Sequence, residues 1–392
     1  NRNLFMSSVL GTYARKPISF KEGKGSYLIA ENGDKYLDFV QGIATNILGH
    51  CHKHLVETIQ NQSKKLWHVS NAFVVPEQER LAKRLTDYTF ADFVCFQNSG
   101  TEATEASIKI ARKYFHKIGK PEKNRIITFK GAFHGRTLAA MFAANNPKHT
   151  EGFGPKIDGF DQVPFADHEA IKKAINKNTA AIMIETIMGE GGIKVVPDFC
   201  LKGLRDLCDE NGLLLILDEV QSAYRTGSFF AFEKSGIIPD IVPIAKGIGG
   251  GFPLGACLVT KKAATGMTPG THGSTFGGNP LAMAVGNSVL DILFEKDFFN
   301  KVKQKGEYFD TGLNKIKNKF PKIITEVRGI GLMKGIKVSV DNSEFIKKLM
   351  NHKMLTIKAE ESVIRLFPPL IVENKELDEA IDKIQIVCKE MS

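Results

Sequence analysis

The chain has 392 residues, 43% of them hydrophobic and 24% charged, with a formal net charge of +10. That length suits two domains, or one large domain with an appendage, and no apolar run is long enough to cross a bilayer. The basic residues are spread along the whole chain with no cluster interleaved with aromatics, which argues against nucleic acid and for a field that draws in anionic small molecules. The six cysteines show no CxxC spacing, and several sit in apolar runs as buried free thiols do. A reducing compartment is expected, in which the Asn61-Gln62-Ser63 sequon is idle. Asn1–Leu10 lacks the basic-then-apolar pattern of a secretory signal, and the expected location, from the cysteine usage, is cytoplasmic.

In chain order, Ser26–Phe39 reads as a hairpin turning at Asn32-Gly33. The compact His50-Cys51-His52-Lys53-His54 cluster fits no zinc spacing, and no metal is expected there. From Phe93 onward, short apolar runs alternate with amphipathic helical patterns, the signature of a βαβ-built, mostly parallel sheet. Candidate strands are Phe93–Phe96, Ile126–Phe129, Ala181–Ile184, Leu213–Leu217, Ile241–Ile244 and Ala256–Val259. A helix over Thr101–Lys117 repeats Ala103, Ala106, Ile110, Ala111 and Tyr114 on one face. A long helical pattern begins after Pro280, and the remainder alternates strands and helices. In such sheets the ligand sits beyond the carboxyl ends of the strands.

Polar groups gather at those ends. Ser99 and Glu102 in Asn98-Ser99-Gly100-Thr101-Glu102 fit a capping box, and free amides at a helix start bind phosphate. Alone, that string reads as an ordinary cap. Ala132-Phe133-His134-Gly135-Arg136-Thr137 offers an aromatic to stack on a planar ring and an arginine to grip a carboxylate, or equally a turn with a surface arginine. Glu185–Gly192 packs two acids and three glycines into one strand-end loop. His272–Pro280 is a glycine-rich loop able to donate hydrogen bonds to phosphate. The most specific placement is a pair. Asp218, in Asp218-Glu219-Val220-Gln221, closes one apolar run, and Lys246 closes the next, ahead of Gly247-Ile248-Gly249-Gly250-Gly251. A lysine that holds an aldehyde as a Schiff base, and an acid that keeps a pyridine nitrogen protonated, are what pyridoxal phosphate needs. The glycine run opens no nucleotide-binding βα unit, so a dinucleotide fingerprint is not expected.

Taken together, NSGTEATEA, FHGRT, LDEVQ, AKGIGGGFPLGA and HGSTFGGNP make the chain resemble the class III (ω-amino) aminotransferases, pyridoxal-phosphate enzymes of fold type I, over roughly Tyr13 to Val372. The resemblance implies an α/β fold: a large domain (66–278) with a mostly parallel seven-stranded sheet, and a smaller α+β domain from an N-terminal segment (1–65) and a C-terminal one (279–392). It implies that Lys246 carries the cofactor and moves the substrate proton, Asp218 pairs with the ring nitrogen, Gln221 lies near the ring hydroxyl, and Phe133 stacks on the ring. Ser99, Gly100, Thr101, His134 and Val220 complete the cofactor seat, with Thr275 supplied by the partner subunit of a homodimer. Arg136 and Ser274 would take a substrate carboxylate. Glu190 would cover Arg365 while the amino donor is bound and release it for 2-oxoglutarate.

Within the family, GIATNILGHCHKH and LWHVSNAFVVPEQERLAKRL are most similar to members acting on N2-acetylornithine. That implies transfer of its terminal amino group to 2-oxoglutarate, giving N-acetylglutamate semialdehyde and glutamate. Succinyldiaminopimelate, ornithine and 4-aminobutyrate are the rival donors, and a non-enzymatic basic binding protein is a remote alternative. The chain departs from the family pattern at Thr186 and Met188, at Tyr224 where a glycine is usual, and at Lys53 where a proline is.

Overall fold

The computed structural model describes residues 8–392. Residues 1–7, the start of the expected N-terminal segment and most of the stretch read for a signal, lie outside the described residues. Strands β1 (Phe20–Lys24), β2 (Tyr27–Ala30) and β3 (Lys35–Asp38) form an antiparallel meander. The expected hairpin is β2–β3. Gly33 takes φ +86° at its turn, a conformation that favours a residue without Cβ, and the Asn32 side chain accepts from the Asp34 N–H at 3.1 Å. Met354–Leu355 runs parallel beside β3, so the two ends of the chain share one sheet.

The central sheet holds β4 (Phe93–Gln97), β5 (Arg125–Phe129), β6 (Phe160–Val163), β7 (Thr179–Glu185), β8 (Leu214–Asp218), β9 (Ile241–Ile244) and β10 (Gly255–Val259). Their spatial order is β4-β10-β9-β8-β7-β5-β6. β10 is antiparallel to both neighbours and the other strands run parallel, which is the expected mostly parallel seven-stranded sheet. Every residue of β7, β8, β9 and β10 is buried, as a sheet covered on both faces requires. Along β8, Leu215 and Leu217 enter one apolar cluster while Leu214 and Ile216 enter the other. That alternation with period two is how one strand serves two layers.

Helix α1 (Gly100–Lys117) follows β4 and buries Ala103, Ala106, Ile110 and Ala111. α2 (Asp198–Asn211) precedes β8, and α3 (Pro280–Leu293) is apolar nearly all round and packs against the turn that carries Lys246. A further antiparallel sheet contains β11 (Ile324–Ile330), β12 (Met333–Val338) and β13 (Val363–Leu366). It is joined to the central layer through Arg225, whose Nη1 donates to the Pro368 carbonyl at 3.1 Å and whose own carbonyl accepts from Leu332 N–H at 2.8 Å. No helix among the described residues is long and apolar enough to cross a membrane.

Candidate active site

The register of the sheet builds the site. Asp218 pairs with Glu185 across β8 and β7, and β9, next to β8, leads through Ala245 into Lys246. Three parallel strands therefore deliver a carboxyl, a second carboxyl and an amine to one edge. There the chain encloses a cavity of about 230 Å³ lined by Gly100, Thr101, Phe133, His134, Gly135, Arg136, Glu185, Asp218, Val220, Gln221 and Lys246. Nine of the expected site residues thus meet: Lys246, Asp218, Gly100, Thr101, Phe133, His134, Val220, Gln221 and Arg136.

Lys246 begins a single tight helical turn and stands at φ +50°, a left-handed backbone that an L-residue adopts at a cost. Burial pulls its ammonium down to about 8, and the Arg365 charge adds to the pull, against Glu190, Glu185 and Asp218. Asp218 is held at both oxygens: Oδ1 accepts from Val220 N–H at 3.0 Å, and Oδ2 lies 2.8 Å from His134 Nδ1. Burial works against a charge on His134, but the bond to Asp218 and its negative charge outweigh it and raise the imidazole's pKa. His134 is therefore a buttress of Asp218 as well as a wall of the cavity.

Among the buried polar atoms of the described residues that have no protein partner, two, His134 Nε2 and Gln221 Oε1, belong to residues that line the cavity. Such atoms are costly unless a ligand or water meets them. At the start of α1, Ser99 Oγ caps the Glu102 N–H at 3.3 Å and Gly100 opens the helix, leaving amides of the kind that suit a phosphate. A Cβ on Gly100 would lie 2.6 Å from Val220 Cγ1, and one on Gly135 2.1 Å from Thr101 Oγ1. The residues present fit pyridoxal phosphate: amine, ring acid, aromatic wall and amide cradle surround one slot.

Beside the slot, Arg365 on β13 and Glu190 form a two-pronged pair, Nη1–Oε1 at 2.7 Å and Nη2–Oε2 at 3.2 Å. Arg365 is 1% exposed, and its Nη2 also donates to the Lys358 carbonyl at 2.9 Å. At the outer edge Arg136 is exposed, with its guanidinium 5.5 Å from the Phe133 ring centre.

Two expected residues, Ser99 and Ser274, stand apart from the cavity, and so does Thr275, which the resemblance assigns to the partner's site. The Ser99 hydroxyl is committed to the helix cap and to Glu102 Oε2 at 3.1 Å, and does not line the cavity. The expected capping box is also shifted by one residue, since Glu102 accepts from the Asn98 N–H at 2.8 Å. Ser274 is not beside Arg136: its Oγ accepts from the Gly277 N–H at 2.9 Å, and it borders a different depression together with Thr275.

Sequence reasoning left Glu185 without a role of its own. Its Oε1 accepts from Phe133 N–H at 2.8 Å and its Oε2 from Gly189 N–H at 3.2 Å, so one carboxyl ties the ring-facing loop to the loop of Glu190. Burial, then the charge of Asp218, push it up to about 7. The signal in the sequence was an acid ending an unbroken apolar strand. Two of the four departures from the family pattern gain physical accounts. Thr186 Oγ1 donates to Glu219 Oε1 at 2.7 Å, satisfying a buried carboxyl, and Tyr224 occupies φ +72°, the conformation that a glycine would adopt without strain. His50 and His54 each face a carboxylate, Asp38 at 2.8 Å and Asp291 at 3.0 Å.

A lysine and a buttressed aspartate at the ends of adjacent parallel strands, around a slot for a flat anion, define a pyridoxal-phosphate enzyme. The family model for class III aminotransferases matches residues 11–388. The acetylornithine aminotransferase of Agrobacterium fabrum is 53% identical over 97% of this chain and 96% of its own. That of Caldanaerobacter subterraneus is 44% identical over 98% of both. Among solved structures, the ornithine aminotransferase of Toxoplasma gondii superposes with a TM-score of 0.94 at 30% identity, covering 98% of this chain and 93% of its own. The N-acetylornithine aminotransferase of Stenotrophomonas maltophilia gives 0.84 at 33% identity, covering 97% of each. The chain belongs to the class III aminotransferases, a pyridoxal-phosphate-dependent family.

Proposed function

We propose that this enzyme moves the terminal amino group of N2-acetyl-L-ornithine to 2-oxoglutarate, yielding N-acetyl-L-glutamate 5-semialdehyde and L-glutamate, a step of arginine biosynthesis. The observation that carries the reading is the closed Glu190–Arg365 fork beside Lys246, with uncovered Arg136 at the mouth. It is supported by relatives about half identical over nearly the whole chain that bear the name acetylornithine aminotransferase. Bound pyridoxal phosphate supplies an aldehyde for the incoming amine and a ring that takes up the electrons of a broken C–H bond.

Everything else is work for the protein. Lys246, already easy to deprotonate, would hold the cofactor's aldehyde and would carry the proton at the terminal carbon of the donor. Asp218, fixed by His134 and the Val220 amide, would hold a proton on the ring nitrogen. Phe133 would stack on the cofactor ring, Gln221 would sit near its hydroxyl, and Gly100 and Thr101 would hold its phosphate. Arg136 takes the α-carboxylate of the donor and, in the second half-reaction, the distal carboxylate of 2-oxoglutarate. Glu190 neutralises Arg365 while the uncharged reacting end of the donor lies beside it; its release exposes a cation for the α-carboxylate of 2-oxoglutarate.

Ser274 and Thr275 serve the partner's site in a homodimer, which explains their distance from their own cavity. We keep 1–65, 66–278 and 279–392 as the domain division. The six free cysteines favour a reducing, cytoplasmic setting.

Comparing kcat/KM for N2-acetylornithine, ornithine, succinyldiaminopimelate and 4-aminobutyrate, each with 2-oxoglutarate, tests the donor. A higher value for any of the other three overturns it. Lys246→Ala should still bind cofactor, seen by its absorbance, yet lose turnover by at least about a thousandfold. Transamination at the wild-type rate by that variant would sink the assignment of the lysine.

A further inference from the structure

The mouth of the cavity holds a side chain that the reading above leaves without a task. His149, on the short helix Pro147–Thr150, is half-buried and stands edge-on to the Phe133 ring with centroids 6.0 Å apart. Its Nε2 lies 3.2 Å from Arg136 Nη2. A guanidinium has N–H donors and no acceptor, so Nε2 must accept and the imidazole must be neutral. The surroundings favour that form. Burial lowers the His149 pKa and the Arg136 charge lowers it further, with a small contribution from Lys148, against Glu190 and Glu360, which act the other way. The segment is also tied to the loop of Glu190: Asn146 Nδ2 donates to Glu360 Oε1 at 3.1 Å, and Glu360 N–H to the Glu190 carbonyl at 2.9 Å.

The two arginines of the site are thus held in opposite ways. Arg365 is covered by a carboxylate and must be uncovered to bind an anion. Arg136 has no carboxylate partner among the described residues. An acid at position 149 would orient it but cancel its charge and compete with the substrate. A neutral acceptor orients it and leaves the charge free. We propose that His149 is a positioning residue for substrate recognition, its neutral imidazole holding Arg136 against Phe133 so that the guanidinium meets the substrate carboxylate already aimed. This rests on the reading of Arg136 as the carboxylate seat.

The test is the first half-reaction of the holoenzyme in single turnover, followed by loss of the cofactor absorbance. The donors are N2-acetylornithine and pentylamine, which has no carboxylate. His149→Phe keeps the ring but not the acceptor. It should raise half-saturation for N2-acetylornithine about tenfold, the worth of one hydrogen bond to a charged group, while the limiting rate and the pentylamine reaction stay within about twofold. His149→Gln, whose oxygen reaches the same point, should recover most of the loss. As pH falls below the usual imidazole range, half-saturation should rise for the wild type and stay level for His149→Gln. Equal losses for both donors, or none for either, overturn the proposal. Arg136→Gln separates the premises. If it spares N2-acetylornithine, the seat itself is misassigned; if it weakens that donor while His149→Phe does not, His149 alone is.

Discussion

At the scale of single residues, Lys246 shows how a common side chain becomes a reactive one. Its backbone sits at φ +50° and its ammonium titrates near 8, because burial and Arg365 outweigh three nearby carboxyls. Covalent capture of pyridoxal phosphate needs the neutral amine, so the capture rate of the apoenzyme should rise with pH through about 8, well below the ordinary lysine range. The charges around it give signed controls. Arg365→Met removes a cation that lowers the midpoint and should move it up, while Glu190→Gln removes an anion that raises it and should move it down. Stopped-flow absorbance of each apoenzyme across pH reads all three values. Shifts in the same direction for both variants would mean that the pair acts on Lys246 through something other than its charges.

At the scale of elements, the site depends on strands stopping at the right level and on one helix starting there. Gly100 shows how tight that start is, since a Cβ would lie 2.6 Å from Val220 Cγ1. Gly100→Ala should therefore push the first turn of α1 away from the β8 loop and weaken pyridoxal phosphate at least about tenfold, the effect of a modest overpacking strain. Titration of the apoenzyme with cofactor checks this, and an unchanged affinity would remove the helix start from the cradle. The same geometry explains what could be read beforehand. Runs such as Leu214–Leu217 and Ile241–Ala245 are apolar throughout because both faces are covered, so the polar residue that follows each, Asp218 and Lys246, stands out. β6, with sequence Phe-Asp-Gln-Val, escaped because two polar residues in four on an edge strand leave no such contrast. Pairings between distant segments were equally silent. Nothing local says that His134 will brace Asp218, 84 residues away, or that Glu185 will hold both Phe133 and Gly189. The glutamate–arginine fork came from family resemblance, and its two residues are 175 positions apart.

At the scale of the whole molecule, the proposed homodimer gives a task to a polar loop that lies apart from its own chain's cavity. Thr275 borders a depression with Gln97, Asn98, Glu102 and Phe276, apart from the cavity that holds Lys246. Leu66, Trp67, Phe73, Val74 and Phe276 are exposed large apolar side chains; Asn71, between them in sequence, donates to the carbonyls of Ser274 at 3.1 Å and Gly277 at 2.8 Å, tying that segment to the Thr275 loop. The homodimer proposed above, in which the Thr275 loop of one chain serves the other's phosphate seat, would have such a surface to bury. Mixed dimers distinguish this arrangement from independent sites. A subunit with Lys246→Ala and another with Thr275→Ala are each defective as homodimers. In a heterodimer both lesions fall on the same site, because the Thr275→Ala loop serves the partner that has lost its lysine. The other site is then intact. Random reassortment should restore about a quarter of the wild-type sites, above the mean of the two parents, because half of the dimers are mixed and each holds one complete site. If Thr275 instead served its own chain, each mixed dimer would carry one lesion in each site, and mixing would leave the activity at the parental mean.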